Sequence, residues 1–387
     1  MFKTNDPVVY FCRIISLAII IVLVFLGIAY GAWTIIFGKM SDGKYDKNTS
    51  TDINSSGIIE GEGNINDFDN LQTLAPLPFD EQEAENDVTP APTDSLTVLQ
   101  NNIKEWISNG KPVSDKNITN ILLIGNDVDS TRADAMMVLS LNHNKKTITL
   151  ASIMRDQYSY IVHDGKGAFE KFHHACAYGG PKLQIEMIEK YYKISIDNYA
   201  VVNFKTLPII IDALGGVKVT LSQAEATCMR DVWWCERIDG AGTYTLAGED
   251  ALLYMRIRDG VGGDKGRVGR QQKLLKEVLS MLSSYNKASL ITLITDLTPH
   301  VRTGYTSNQM LSLAAQALQE GWFNYSISQY TAPVEDDTAV GFTVKNSRGQ
   351  KIWYWKVDFP RAAQQMQKVL YGTTNITLEK DRKSWIK

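Results

Sequence analysis

"NILLIGNDVDSTRADAMMVLSLNHNKKTITLASIMRD", residues 120–156, decides the fold. Three short runs rich in Ile, Leu, Val and Met, at 120–124, 135–141 and 147–153, read as strands. The polar residues between them cluster at the strand ends. Asp127 follows the first strand, Arg132 and Asp134 precede the second, and Arg155 and Asp156 follow the third. Open α/β sheets bind ligands at such an edge, so one stretch predicts both a sheet and the place where chemistry would occur.

Further extended segments lie at 199–204, 217–221, 325–330, 341–344 and 352–356. Helical spacing of apolar residues appears between them. "GGPKLQIEMIEKYY" (179–192) carries Pro181 early and Leu183, Met187 and Ile188 on one face, "VGRQQKLLKEVLSML" (268–282) repeats the pattern, and "FPRAAQQMQKVLYG" (359–372) ends on a capping glycine, Gly372. An apolar helix is also expected at 205–214. Strands alternating with helices predict an α/β fold, a three-layer α-β-α sandwich around a central mixed sheet. No internal repeat, P-loop or dinucleotide fingerprint is present.

The whole chain has 387 residues, 44% of them hydrophobic and 21% charged, a globular average that hides three different regions. Residues 14–37 contain no charge. As a helix they would reach about 36 Å, enough to cross a hydrocarbon core of about 30 Å. A signal peptide has a shorter apolar region and a small-residue cleavage site, whereas Gly38, Lys39 and Met40 follow here. The reading is therefore a retained transmembrane helix behind a short cytoplasmic tail (1–13). Residues 41–95 hold 13 acidic residues against two lysines, and 38–95 are expected to be a disordered acidic linker. The remaining residues, 96–387, carry +6. That mildly basic balance suits an anionic ligand.

Cysteine is sparse, with four residues. Cys12 abuts the apolar span, and Cys176 reads as a buried hydrophobe. Cys228 and Cys235 bracket "MRDVWW", a spacing that permits a local disulfide outside the cell, around a loop carrying Trp233 and Trp234.

The segment "YMRIRDGVGGDKGRVGRQQ" (254–272) concentrates four arginines and one lysine around a glycine-rich loop. Arg256 and Arg258 are read as projecting to one side of an extended stretch, while Arg267, Arg270 and Gln271 fall in the first turn of a following helix. Guanidinium forks match phosphate bidentately, and a helix N-terminus favours anions. A solvated basic face would use more Lys and no glycine loop, so a di- or polyphosphate site is expected. Asp127 and Asp134 suit a hard cation, Mg²⁺ or Mn²⁺, bridging to phosphate; the plainer alternative is that both are turn residues. Nucleic acid is disfavoured as the anion because no aromatics interleave with the arginines and no recognised module is present. The histidines show no metal-ligand spacing, and adjacent His173 and His174 would point to different sides. Neither a Ser-His-Asp motif nor a G-x-S-x-G elbow is visible.

"LLIGNDVDSTRADAMMVLSL", "SIMRDQY", "KFHHACAYGG", "IDALGGV", "LAGEDALLYMRIR" and "DKGRVGRQQ" occur in the order and spacing of the LytR-CpsA-Psr family, which this chain resembles over roughly residues 115–372. The resemblance implies an extension at 96–114, a catalytic domain at 115–372 and a tail at 373–387. It further implies a membrane-anchored, extracytoplasmic phosphotransferase of Gram-positive type. Such an enzyme moves an anionic glycopolymer from a polyprenyl-pyrophosphate carrier onto peptidoglycan as a phosphodiester. By the same resemblance, Asp127 and Asp134 are metal-associated, Arg132, Arg155, Arg256, Arg258, Arg267 and Gln271 bind pyrophosphate, and Lys171 and Asp264 are further site residues. Asp127, Asp134 and Asp156 are the candidate bases. The family pattern usually has Pro, Asn and Tyr where Met154, His173 and Cys176 stand. Two other readings stay open: a lipid-pyrophosphate hydrolase with water as acceptor, and a non-catalytic membrane-anchored regulatory protein.

Overall fold

Strands β1 (Ile118–Asn126) and β2 (Ala133–Asn142) pair antiparallel, with Ile121 opposite Leu139 and Ile124 opposite Met136. Their aliphatic side chains are buried on both faces, as the unbroken apolar runs require. Complete burial of Ile121 and Leu122 stabilises the fold by about 2 kcal/mol apiece. The register slips between Gly125 and Asn126, where the aliphatic run ends. A bulge of this kind ends pairing and turns the chain in a new direction.

The computed structural model describes residues 93–126, 132–231, 235–257, 261–282, 300–345, 350–380 and 382–386. The uncharged stretch 14–37 and most of the acidic linker lie outside them. Among the described residues no helix is long and apolar enough to cross a membrane. The fold is mixed α/β, built on a central mixed sheet with helices.

Two compact units divide the chain. The terminal unit comprises the described residues up to Asn144, together with Ala151–Ile196 and Tyr330–Lys387. Besides β1 and β2 it holds α1 (Thr93–Ser108), β4 (Tyr158–His163), β5 (Lys166–Lys171), α2 (His174–Tyr192), β11 (Ala339–Lys345), β12 (Lys351–Val357) and α8 (Phe359–Tyr371). The inserted unit comprises Lys145–Leu150 and Asp197–Gln329. It holds β6 (Asn198–Asn203), α3 (Thr206–Ala213), β7 (Val217–Leu221), α4 (Gln223–Asp231), β8 (Gly242–Leu246), α5 (Gly248–Arg256), α6 (Gly263–Leu282), β9 (Arg302–Thr303) and α7 (Ser307–Glu320). The unit boundaries fall within β3 (Thr147–Ile153) and β10 (Ser326–Ala332).

Local chemistry explains the elements that carry the site. Helix α2 is two helical pieces joined at Gly179 and Gly180; Gly180 takes φ 64°, and Pro181 follows. A proline cannot donate to the preceding turn, and the positive φ favours glycine. The spacing at 179–192 revealed only the second piece, because the first, starting at His174, has no amphipathic period. Helix α8 starts as read: Asp358 accepts from the Arg361 N–H at 3.4 Å, Pro360 sits in the first turn, and Gly372 closes it at φ 78°.

The inserted unit corrects two expectations. Arg256 is the last residue of helix α5, not part of an extended stretch. That helix begins where the Gly248 N–H donates to Asp212 at 2.7 Å, and Gly248 packs so near Pro208 that a Cβ would lie 2.1 Å from its carbonyl oxygen. Helix α6 begins at Gly263, four residues before Arg267, so Arg267, Arg270 and Gln271 lie beyond its first turn.

Candidate active site

In the terminal unit the chain leaves β3 at Ile153, and the Met154 N–H donates to the Ala332 carbonyl at 2.8 Å. The next two residues are buried, Arg155 at 5% exposure and Asp156 at 1%. Arg155 Nη1 donates to Asp134 Oδ1 at 2.7 Å, and its Nε lies 3.3 Å from Asp156 Oδ2. Hairpin β4–β5 sets Tyr158 opposite Lys171, which returns the lysine to this point; its Nζ lies 3.0 Å from Asp156 Oδ1. The Trp355 N–H donates to the Asp156 carbonyl at 2.8 Å. Two carboxylates and two cations thus form one connected cluster.

Burial alone would raise the Asp156 pKa, but the Arg155 and Lys171 charges outweigh it, with a Lys171 hydrogen bond adding to them. Its carboxyl is therefore held well below the usual carboxylate range. Asp134 differs, because its side chain keeps 18% exposure and can meet a ligand from solvent.

His173 and His174 join the cluster from the start of α2. His173 is fully buried, and both its main-chain N–H (3.2 Å) and its Nδ1 (3.0 Å) reach the Arg155 carbonyl oxygen. A carbonyl only accepts, so Nδ1 carries the hydrogen and Nε2 the lone pair. Burial, then the neighbouring His174, pushes the His173 pKa well below its ordinary value, so the ring is neutral at physiological pH. His174 Nδ1 lies 3.2 Å from Glu170 Oε2. The sequence marks His173 only as a departure from the family pattern, where Asn is usual, and shows no metal spacing for either histidine; the contact of His173 with Arg155 is not visible in it. The place of His173 two residues after a predicted site lysine was the available signal.

The arginine segment folds in the inserted unit. Arg256 sets its guanidinium 5.1 Å from the Phe204 ring centroid. Arg267, buried, pairs with Asp264 one turn earlier. Arg270 donates to the carbonyls of Ile257 and Val261, the latter at 3.0 Å, and lies 3.5 Å from Glu225. Those bonds hold its guanidinium against the main chain at Ile257 and Val261. Gly262 and Gly263 have φ 84° and 54°, and a Cβ on Gly266 would meet the Val261 carbonyl oxygen at 2.2 Å.

Asp134, Arg155, Asp156 and Lys171 are therefore brought together in one unit. Arg256, Asp264, Arg267, Arg270 and half-buried Gln271 belong to the other. Arg132 is half-buried just before β2. Asp127 and Arg258 lie outside the described residues.

Among the described residues no group of three or more His, Cys, Asp or Glu could by itself hold a metal ion. Asp134 nonetheless has the right chemistry, a hard oxygen donor in reach of solvent, with Arg155 offsetting its charge. Cys228 and Cys235 are both buried thiols, and the disulfide their spacing permits is not formed. Cys235 instead donates to Asp250 Oδ1 at 3.2 Å. Burial, followed by that bond, pushes its pKa up to about 11.

A family model described as the LytR_cpsA_psr family matches residues 78–369. It begins before the motif-bearing span at 115–372 and takes in helix α1. The polyisoprenyl-teichoic acid–peptidoglycan teichoic acid transferase TagU of Bacillus mycoides (strain KBAB4) is 33% identical over 212 residues, 54% of this chain and 65% of that protein. The chain thus spans about two thirds of that relative's length. A solved structure described as TagT bound to LI-WTA is 25% identical, with a TM-score of 0.53 over 67% of this chain and 92% of that one. The same fold recurs in a LytR-CPS2A-psr family protein YwtF (TagT) with bound octaprenyl pyrophosphate lipid, 24% identical, at a TM-score of 0.50 over 67% of this chain and 92% of that one.

Proposed function

The chain belongs to the LytR-CpsA-Psr family, and from that premise we propose that it is a transferase that moves an anionic glycopolymer from a polyprenyl-pyrophosphate carrier onto peptidoglycan. The observation that carries the reading is Arg155, which spans Asp134 and Asp156 with Lys171 on the far side. TagU is named for this reaction, and the YwtF (TagT) structure holds the isoprenoid pyrophosphate.

The chemistry is phosphoryl transfer. A sugar hydroxyl of peptidoglycan attacks the phosphorus that bears the glycan, and its bond to the bridging oxygen breaks. The electron pair leaves with polyprenyl phosphate, and the hydroxyl proton passes to a carboxylate. Arg155 and Lys171 place positive charge where negative charge develops. Asp156 is a poor base, because two cations already stabilise its anion. Its work is to fix Arg155 and Lys171, and the proton falls to Asp127 or Asp134, at a carboxylate oxygen that no cation occupies. The same pair would hold Mg²⁺ or Mn²⁺, which supplies charge neutralisation to the pyrophosphate oxygens when bound. Arg256, Arg258, Arg267 and Gln271 are the proposed phosphate-binding residues of the inserted unit, where Arg267 would exchange Asp264 for an anion.

The domain acts outside the cytoplasm, held at the cell membrane by the single uncharged stretch 14–37, since its acceptor is the cell wall. Labelled lipid-linked glycan, incubated with the full-length chain in the presence and absence of peptidoglycan, tests the reading. Label joining peptidoglycan supports transfer, whereas release into water at the same rate in both arms makes the chain a hydrolase.

A further inference from the structure

Resting on that functional reading, we infer that His173 is a positioning residue of the site, fixing the main chain of Arg155 so that its guanidinium stays between Asp134 and Asp156. Two donors of one residue, the main-chain N–H at 3.2 Å and ring Nδ1–H at 3.0 Å, converge on the single Arg155 carbonyl oxygen. The neighbouring Phe172 N–H donates to the Gln157 carbonyl at 3.0 Å. The segment 171–173 therefore lies alongside 155–157 and presents Lys171 to Asp156 from the same alignment.

The ring has no room to turn. It is fully buried, its centroid is 4.5 Å from that of His174 at a steep interplanar angle of 72°, and Nδ1 is 3.9 Å from Asp156 Oδ1. Nε2 has no hydrogen-bond partner among the described residues. The ring thus acts through Nδ1 alone. A full rotamer change would take the ring donor away from the Arg155 carbonyl and move a guanidinium whose two carboxylate contacts depend on that backbone. Displacements of about 1 Å in groups of this kind cost about 100-fold in rate.

Asparagine and glutamine separate this role from mere packing. The Asn amide nitrogen falls close to the position of Nδ1 and the Gln amide nitrogen close to that of Nε2, while both are polar and of similar bulk. The test uses the full-length chain and its variants His173→Asn and His173→Gln. It reads kcat and KM for lipid-linked glycan transfer, affinity for inorganic pyrophosphate, and the thermal midpoint. We expect His173→Asn to keep kcat within about 3-fold and His173→Gln to lose about 10- to 100-fold in kcat. The KM change should be smaller than the kcat change, because the lost interaction matters most where charge develops. Equal kcat in the two variants, whether both high or both low, would overturn the inference even if their midpoints differ. A wild-type chain that neither transfers glycan nor binds pyrophosphate would instead overturn the functional reading beneath it.

Discussion

The Arg155 guanidinium lies 2.7 Å from the Asp134 carboxylate, which joins the residue two past the end of β3 to the second residue of β2. Arg155 arises from the connection after a strand, whereas Asp134, expected just before the second strand, lies within its first two residues. The contact also orients a planar fork whose other side faces Asp156.

That geometry predicts a difference between charge and shape. Arg155→Lys keeps the positive charge but cannot touch two carboxylates with a planar fork, so transfer should fall at least about 10-fold. Arg155→Ala should also destabilise the fold by about 3–5 kcal/mol, because it leaves Asp156 buried beside a single cation. Steady-state transfer and denaturant midpoints on the same preparations distinguish the two effects.

Acid should weaken the terminal unit in two stages. Unfolded histidine binds a proton near 6.5, whereas His173 in the fold resists it, so its contribution is complete above that pH and is lost as the pH falls further. Asp156 behaves likewise relative to 3.8, its folded pKa being depressed by Arg155 and Lys171. The thermal midpoint should therefore fall between about pH 7.5 and 5.5, and His173→Asn should shrink that drop. A wild-type midpoint that does not change across this interval would contradict the burial of a neutral imidazole.

Strands β2, β3 and β7 and helix α8 were legible in the sequence because their apolar periods and caps are local. The hairpin β4–β5 was not, since "YSYIVHDGKGAFEK" alternates weakly and owes its register to packing of Tyr158 against Phe169, Phe342 and Tyr354. Arg155 and Asp156 were located by their place after a strand. Lys171 enters only through the family resemblance and His173 only as a departure from its pattern, because their union with Arg155 and Asp156 depends on a hairpin returning from 15 residues away. Arg270 reads as a phosphate ligand from its residue type and its place beside a glycine-rich loop and a helix start; its bonds to the Ile257 and Val261 carbonyls are not visible in that spacing.

The C-terminal segment is expected to be structural. Arg382 clasps buried Asp358 through two contacts of 3.0 and 2.5 Å, Ser384 adds a third at 3.2 Å, and Thr374 donates to Gln367 at 2.7 Å. Ending the chain after Gly372 would leave the Asp358 anion without its arginine. We expect a loss of about 3 kcal/mol in unfolding free energy. A truncated chain with the full-length midpoint would show that the tail is dispensable.

Topology gives an independent check on the proposed membrane anchor. Protease added to intact protoplasts should remove residues beyond the uncharged stretch 14–37. Protection until lysis would place the domain on the cytoplasmic side.

The most direct test measures glycan transfer to peptidoglycan against Mg²⁺ concentration for the wild type, Asp134→Asn and Arg155→Lys. The Asp134→Asn curve should shift to Mg²⁺ concentrations about 10-fold or more higher, since loss of a proposed ligand would weaken metal binding before it abolished the chemistry. The Arg155→Lys curve should keep its midpoint and lose height. Three superimposable curves would contradict the account and leave the contact between Arg155 and Asp134 without a catalytic role.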